Sequence, residues 1–250
     1  KETPGGEPGA DTTQKKCNQV IHQKGEKVNP ENIPEELKAQ PRWVAWRSEQ
    51  RDGRPTKVPY KAATRTRADA TDPATWSSFG DTSHFVATQR AYFAGLGFVL
   101  GDGWAGVDLD NCIDDDGKLH PAAAEVVQAL DSYTEVSPSG RGLKVFLKAD
   151  LGDRDGHRTK AVPWGGEVEV YWRDRYFTTT GQHWPGTPKT VEDRQAALTD
   201  LHTRFLARAD TPSPVSTPAP IPPTADVADL LQVAFHAANG AKIRDLFEEV

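Results

Sequence analysis

Methionine is missing from all 250 residues, even from position 1, and cysteine occurs only as Cys17 and Cys112. The first absence is expected of a piece of a longer chain. The second excludes a disulfide framework and a cysteine-built zinc site, because the two thiols lie in different contexts, and it points to a reducing compartment. No apolar run approaches the roughly 20 residues that span a bilayer, and the polar N-terminus has no secretory apolar core. A cytoplasmic protein without membrane contact is expected. The seven histidines show neither HExxH nor any other paired-ligand spacing, so surface or core roles are expected of each, with His183 alone near the candidate site described below.

What the chain has is a divided charge. Lys and Arg number 30 against 36 Asp and Glu, for a formal net charge of −6, and 36% of residues are hydrophobic, as in a soluble globular protein. The balance argues mildly against a polynucleotide binder, but phosphate recognition needs only a local basic surface. Residues 42–67 hold eight basic side chains against Glu49 and Asp52, whereas 101–116 hold six aspartates and no basic residue. A metal site beside an anionic ligand would require such segregation.

Residues 1–28 are Gly-, Pro- and charge-rich and read as a flexible tail. From Asn29 to residue 209 the chain reads as one globular domain of mixed helices and strands. A short helix is expected around Pro30 to Leu37, a strand at Arg42 to Ser48, a helix over 83–93 and a capped turn at Asp72-Pro73-Ala74-Thr75-Trp76. Strands are expected at 96–100, 104–110, 133–136, 143–147, 168–172 and 176–179, and helices at 121–130 and 190–209. Residues 210–224 are a Pro-rich linker by composition, and 225–250, with a helix at 226–238, are too few to bury a core of their own, so they either dock on the main domain or begin a further region. No internal repeat is visible.

Three stretches carry chemistry. In Val107-Asp108-Leu109-Asp110-Asn111 a strand would project Asp108 and Asp110 from one face, where they are either a divalent-cation pair or two solvated aspartates. An EF-hand calcium loop fails on spacing, since Ile113 and Leu119 stand where Gly and Glu are needed. Ser137-Pro138-Ser139-Gly140-Arg141-Gly142-Leu143-Lys144 is either a phosphate cradle of hydroxyls, freed backbone N–H groups and cations, or an ordinary Ser/Gly hairpin. In Gly165-Gly166-Glu167-Val168-Glu169-Val170-Tyr171, alternation puts Glu167, Glu169 and Tyr171 on one face, where Glu169 would add a third carboxylate or belong to a solvated hairpin.

In this order the three stretches resemble the motifs of the archaeo-eukaryotic primase superfamily, in the primase-polymerase form carried by phages and mobile elements. Gly106-Val107-Asp108-Leu109-Asp110-Asn111 resembles the first motif, the Ser137 to Lys144 stretch the second, and Glu169-Val170-Tyr171 with Arg175-Tyr176-Phe177 the third. The similarity covers roughly residues 35–209 and includes Trp43-Val44-Ala45-Trp46, Lys57-Val58-Pro59-Tyr60 and Thr180-Gly181-Gln182-His183. The segment at Asn239-Gly240-Ala241-Lys242 resembles the entry to a helical C-terminal region. One departure stands out: Lys144 occupies a position where many relatives carry His.

The resemblance implies an α+β fold, with an RRM-like catalytic sheet packed with a second small α/β unit. It implies a template-dependent nucleotidyltransferase, a DNA primase and polymerase of phage or plasmid replication. Asp108, Asp110 and Glu169 would be catalytic and bind two Mg²⁺ or Mn²⁺ ions. Ser139, Gly140, Lys144 and Arg175 would hold the dNTP or NTP, and the basic segment with Trp43, Trp46, Arg47, Lys57 and Lys61 would face template or nucleotide, the alternative being a structural strand pair with the two tryptophans in or beside the core. Single-stranded DNA template and primer are the implied partners, with a helicase domain or replication partner beyond residue 250, in a bacterial, archaeal or phage-infected cell. The alternatives are a non-catalytic replication-initiation module of the same fold and a metal-dependent nuclease.

Overall fold

The computed structural model describes residues 28–154 and 157–206. The tail to residue 27, the linker at 210–224, the helix expected at 226–238, the Lys242 segment, Cys17, His22 and His236 lie outside the described residues. Two antiparallel sheets and a few short helices make an α+β fold, as expected.

The first sheet is built from β1 at Trp43–Arg51, β2 at Arg54–Tyr60, β3 at Gly95–Val99 and β9 at Tyr176–Thr179, in the order β2-β1-β3-β9. The basic stretch is therefore a hairpin, whose first strand runs three residues past the expected end at Ser48. Arg51 pairs with Arg54 across Asp52-Gly53, both at positive φ (52° and 74°), which is the two-residue turn that an Asp-Gly dipeptide favours. Pro55 and Pro59 are tolerated because β2 is an edge strand. Helix α1 (Glu35–Lys38) precedes this sheet, and α2 (Phe79–Thr88) packs on β1 and β3. Helix α2 begins four residues before the expected start because the Ser78 hydroxyl caps it, accepting from the Asp81 N–H at 3.1 Å. Asp72 caps the 3₁₀ turn Pro73–Thr75, as its sequence predicts.

The second sheet is built from β4 at Trp104–Asp110, β5 at Thr134–Val136, β6 at Leu143–Lys148, β7 at Arg158–Thr159 and β8 at Glu167–Tyr171, in the order β5-β6-β4-β8-β7. Helix α3 (Pro121–Leu130) connects β4 to β5 and β6 lies between them, giving a split βαβ unit. Helix α4 spans Gln195–Phe205 and starts later than the expected residue 190, because residues 190–194 bond instead to Tyr133 and Lys148; residues 207–209 lie outside the described residues.

Alternation decides what each face of this second sheet does. Ala105, Val107, Leu109, Leu143, Val145, Leu147, Val168 and Val170 are buried against α3 and α4. The opposite face presents Phe146, Tyr133, Trp104 and Tyr171 to the aromatics of the first sheet, Phe98 and Phe177 among them. Gly106 on β4 admits Phe177, whose ring a Cβ there would overlap. The remaining positions of that same face carry charge. No helix of the described residues is long and apolar enough to cross a membrane.

Candidate active site

Five charged side chains share one row across the second sheet. Glu135 on β5 is opposite Lys144 on β6, Lys144 is opposite Asp108 on β4, Asp108 is opposite Glu169 on β8, and Glu169 is opposite Arg158 on β7. Asp110 and Glu167 form the next row. Residues directly opposite in antiparallel strands have Cα atoms about 4.5–5.5 Å apart, so the structure does bring Asp108 and Glu169 together, with Asp110 one same-face step along β4.

The cations partition the acids. The Lys144 ammonium ion-pairs with Asp108 Oδ2 and lies 4.4 Å from the centroid of the Phe177 ring. Arg158 reaches Glu169 Oε1 with Nη2 at 2.6 Å and lies 3.0 Å from Glu167 Oε1 through Nε. Asp108 Oδ1 is buried and has no hydrogen-bond partner among the described residues. Loss of water pushes the Asp110 carboxyl above its ordinary range, and the neighbouring Asp108 charge adds to the rise, while Lys144 and Lys57 oppose it. Lys57 thus lies within electrostatic reach of the acidic pair, with its ammonium 5.6 Å from the Trp46 ring.

Glycines hold the end of β4. A Cβ on Gly142 would stand 2.7 Å from the Leu109 carbonyl oxygen, and one on Gly166 would overlap the Asp110 carbonyl oxygen. That oxygen accepts from Trp164 Nε1 at 3.0 Å, and the strand stops at Asn111, in the left-handed region (φ 52°). At the start of the row, Glu135 is fully buried and accepts from the Thr180 N–H at 2.8 Å, the Gly181 N–H at 2.9 Å and the Tyr133 hydroxyl at 3.0 Å. Burial outweighs these donors and pushes its carboxyl up to about 7.

The other expected site residues are scattered. Ser139 and Gly140 sit in the turn beyond the Asp110 end of β4, but the Gly140 N–H donates to Ser137 O at 2.9 Å and the Arg141 N–H reaches Ser139 Oγ at 3.3 Å. The turn uses those two backbone donors itself, and the exposed Ser139 hydroxyl lies 3.0 Å from the Ser137 hydroxyl, beside Arg141, which ion-pairs with Asp115. Arg175 is exposed and stacks on Tyr171 at 4.8 Å, two residues along β8 from Glu169. Arg47 is held by Glu49 at 2.9 Å and by the Tyr60 ring, and Lys61 donates to Ala74 O at 2.6 Å. Trp43 is core, donating to Leu37 O at 3.0 Å. His183 is a structural residue, its Nε2 3.1 Å from the carbonyls of Thr187 and Pro188. A cavity of about 650 Å³ is lined by Trp46, Phe93, Arg90, Ser139, Arg141 and Thr180, among others, and by none of the three carboxylates, so the row of charges rather than the cavity is the candidate site.

Sequence reasoning missed Arg158 and Glu135. The only signal for either is the pairing order of the strands, which periodicity does not contain.

Among the described residues no group of three or more His, Cys, Asp or Glu is drawn together as a metal-binding cluster. The donors nonetheless fit a hard divalent cation. They are all carboxylate oxygens, and one of them, Asp108 Oδ1, is buried with nothing among the described residues to satisfy it.

No protein-family model matches the chain. Over 148 residues, 58% of its length, the chain is 38% identical to the DNA primase-polymerase of Nitratiruptor phage NrS-1. That stretch is 20% of the phage protein, so the chain spans about a fifth of this relative. The resemblance to a phage primase-polymerase domain, read from the motifs, is borne out by this relative.

Proposed function

We propose that the chain carries the nucleotidyl-transfer domain of a DNA primase-polymerase, making or extending primers on single-stranded DNA. The observation that carries this reading is the placement of Asp108, Asp110 and Glu169 on one face of two adjacent strands, in a chain 38% identical over 148 residues to a protein of that name. These three carboxylates would hold two Mg²⁺ or Mn²⁺ ions, whose contribution when bound is to activate a primer 3′-hydroxyl and neutralise a departing pyrophosphate. Lys144 and the Ser139 hydroxyl would hold the triphosphate, and Arg175 would meet it from the Tyr171 side. Lys57, over Trp46 and within the field of Asp110, would lie along the path of template or nucleotide. Phe177 and Phe146 back the row with apolar surface, which strengthens every charge interaction in front of them.

The test is incubation with primed and unprimed single-stranded DNA, dNTPs or NTPs, and Mn²⁺ or Mg²⁺. Extension or dinucleotide synthesis that disappears in Asp108→Ala and Asp110→Ala supports the reading, whereas shortening of the strand would indicate a nuclease. A second reading, a binding module without turnover, is favoured by the pairing of Asp108 with Lys144 and of Glu169 with Arg158. DNA binding with no product under any metal would establish it. A helicase domain or replication partner joined beyond residue 250 belongs to the same proposal.

A further inference from the structure

Arg158 stands outside the three motif stretches, yet among the described residues it is the one cation that ion-pairs with two acidic side chains of the row and its neighbour. Its guanidinium spans Glu169 at 2.6 Å and Glu167 at 3.0 Å, two carboxylates on the same face of the same strand. The Arg158 side chain is half-exposed, at 54%, while that of Glu169 is only 8% exposed. One end of the ion pair is therefore fixed in the sheet, and the other is free to leave toward solvent. The strand that carries it, Arg158–Thr159, is two residues long and lies at the sheet edge, so few backbone bonds hold it in place.

We propose that Arg158 is a resident counter-ion of the site, which competes with a divalent cation for Glu169 and is handed to the triphosphate when that cation binds. The inference rests on the nucleotidyl-transfer reading given above. Two carboxylates in adjacent strands cannot stay charged and close without neutralisation, and in this structure Lys144 neutralises one and Arg158 the other. A cation arriving with the nucleotide takes over that neutralisation. The displaced guanidinium then faces the phosphate oxygens, whose planar, two-pronged recognition suits arginine better than lysine. Metal binding without nucleotide is opposed by this competition, because the free energy needed to break the resident pair is subtracted from the apparent metal affinity.

The experiment uses the full 250-residue chain. Mn²⁺ is titrated in and the free ion is read by electron paramagnetic resonance, and inorganic tripolyphosphate is then titrated in the presence of Ca²⁺. Arg158→Ala should bind Mn²⁺ about tenfold tighter than the parent, the size expected when one charge-assisted hydrogen bond stops competing, and should bind tripolyphosphate about tenfold more weakly. Arg173→Ala is the control: it removes the same charge from an exposed pair with Asp153 and should change neither value. Arg158→Gln serves if the alanine variant does not fold. The inference is overturned if Arg158→Ala leaves Mn²⁺ affinity unchanged, if Arg173→Ala matches it, or if tripolyphosphate binding does not weaken. Failure of Mn²⁺ to bind parent and variant alike, with no primer extension, sinks the nucleotidyl-transfer reading. Primer extension by a parent whose Mn²⁺ affinity is indifferent to Arg158 sinks this inference alone.

Discussion

Gly166 lies against the carbonyl oxygen of Asp110, so close that a single methyl group on Gly166 would overlap it. Its neighbour Gly165 has open space but a φ of 73°, so the Gly-Gly pair meets two separate demands, backbone conformation at the first position and close approach at the second. Gly166→Ala should therefore push β8 away from the end of β4. The expected cost is about 2 kcal/mol or more, the range for overpacking a tight site, read as a fall of several degrees in thermal midpoint. Gly165→Ala should also destabilise, through strain rather than overlap. If Gly166→Ala melts with the parent, this close approach does not hold Asp110 in place.

Replacing one carboxylate by its amide separates charge from shape. Asp108→Asn, Asp110→Asn and Glu169→Gln should each lower primer extension by roughly 10²–10³-fold, the scale on which removal of one preorganised electrostatic partner acts. Glu167→Gln should cost far less, since Glu167 is assigned no metal. Extension assays with circular dichroism as the folding control check this. An Asp108→Asn enzyme of normal rate contradicts the proposed assignment.

The alternation of 104–110, 143–147 and 168–172 is enough to place Asp108, Asp110 and Glu169 on like faces, and the structure puts Glu169 directly opposite Asp108. Those strands are legible because one face of each is uniformly apolar and packs on α3 and α4. Arg158 and Glu135 are not legible. Strand β7 has two residues and no period, and the Glu135–Lys144 pairing depends on β6 returning beside β4 after a helical crossover. The basic stretch is only half legible for a related reason. Its net charge is visible in the sequence, but the engagement of Arg47 by Glu49, of Arg42 by Asp102 and of Lys61 by a carbonyl is a matter of tertiary structure.

The position of Lys57, whose charge reaches Asp110, predicts an order among the basic residues. Lys57→Ala should weaken binding of single-stranded DNA and reduce the slope of log affinity against log salt by about 0.7, the value for one neutralised phosphate on a single strand. Lys61→Ala should change the slope less, because its ammonium is held by Ala74 O at 2.6 Å. Arg47→Ala should act mainly on stability, by freeing Glu49, whose carboxyl its hydrogen bonds with Tyr60, Arg47 and Arg67 hold down at about 2. Fluorescence anisotropy across a salt series ranks the three, and an equal loss in all would mean that the whole hairpin, rather than Lys57, meets the strand.

Glu135 gives the protein a pH dependence of stability with a definite sign. Burial lifts its carboxyl from the usual 4.5 to about 7 in the folded state, so the folded protein binds this proton more tightly than the unfolded chain. The favourable contribution is full below pH 4.5 and is lost as pH rises toward 7, amounting to on the order of 3 kcal/mol. Most carboxylates that gain ion pairs act in the opposite direction, so the total curve can be flat while this component is not. Subtraction isolates it: the difference in unfolding free energy between the parent and Glu135→Gln should change steadily between about pH 5 and 7 and level off above. The glutamine keeps a neutral side chain at every pH but loses one acceptor for the Thr180 and Gly181 N–H groups, so it should be less stable than the parent throughout, and most so at low pH. A difference that does not vary with pH would place the Glu135 proton outside that interval.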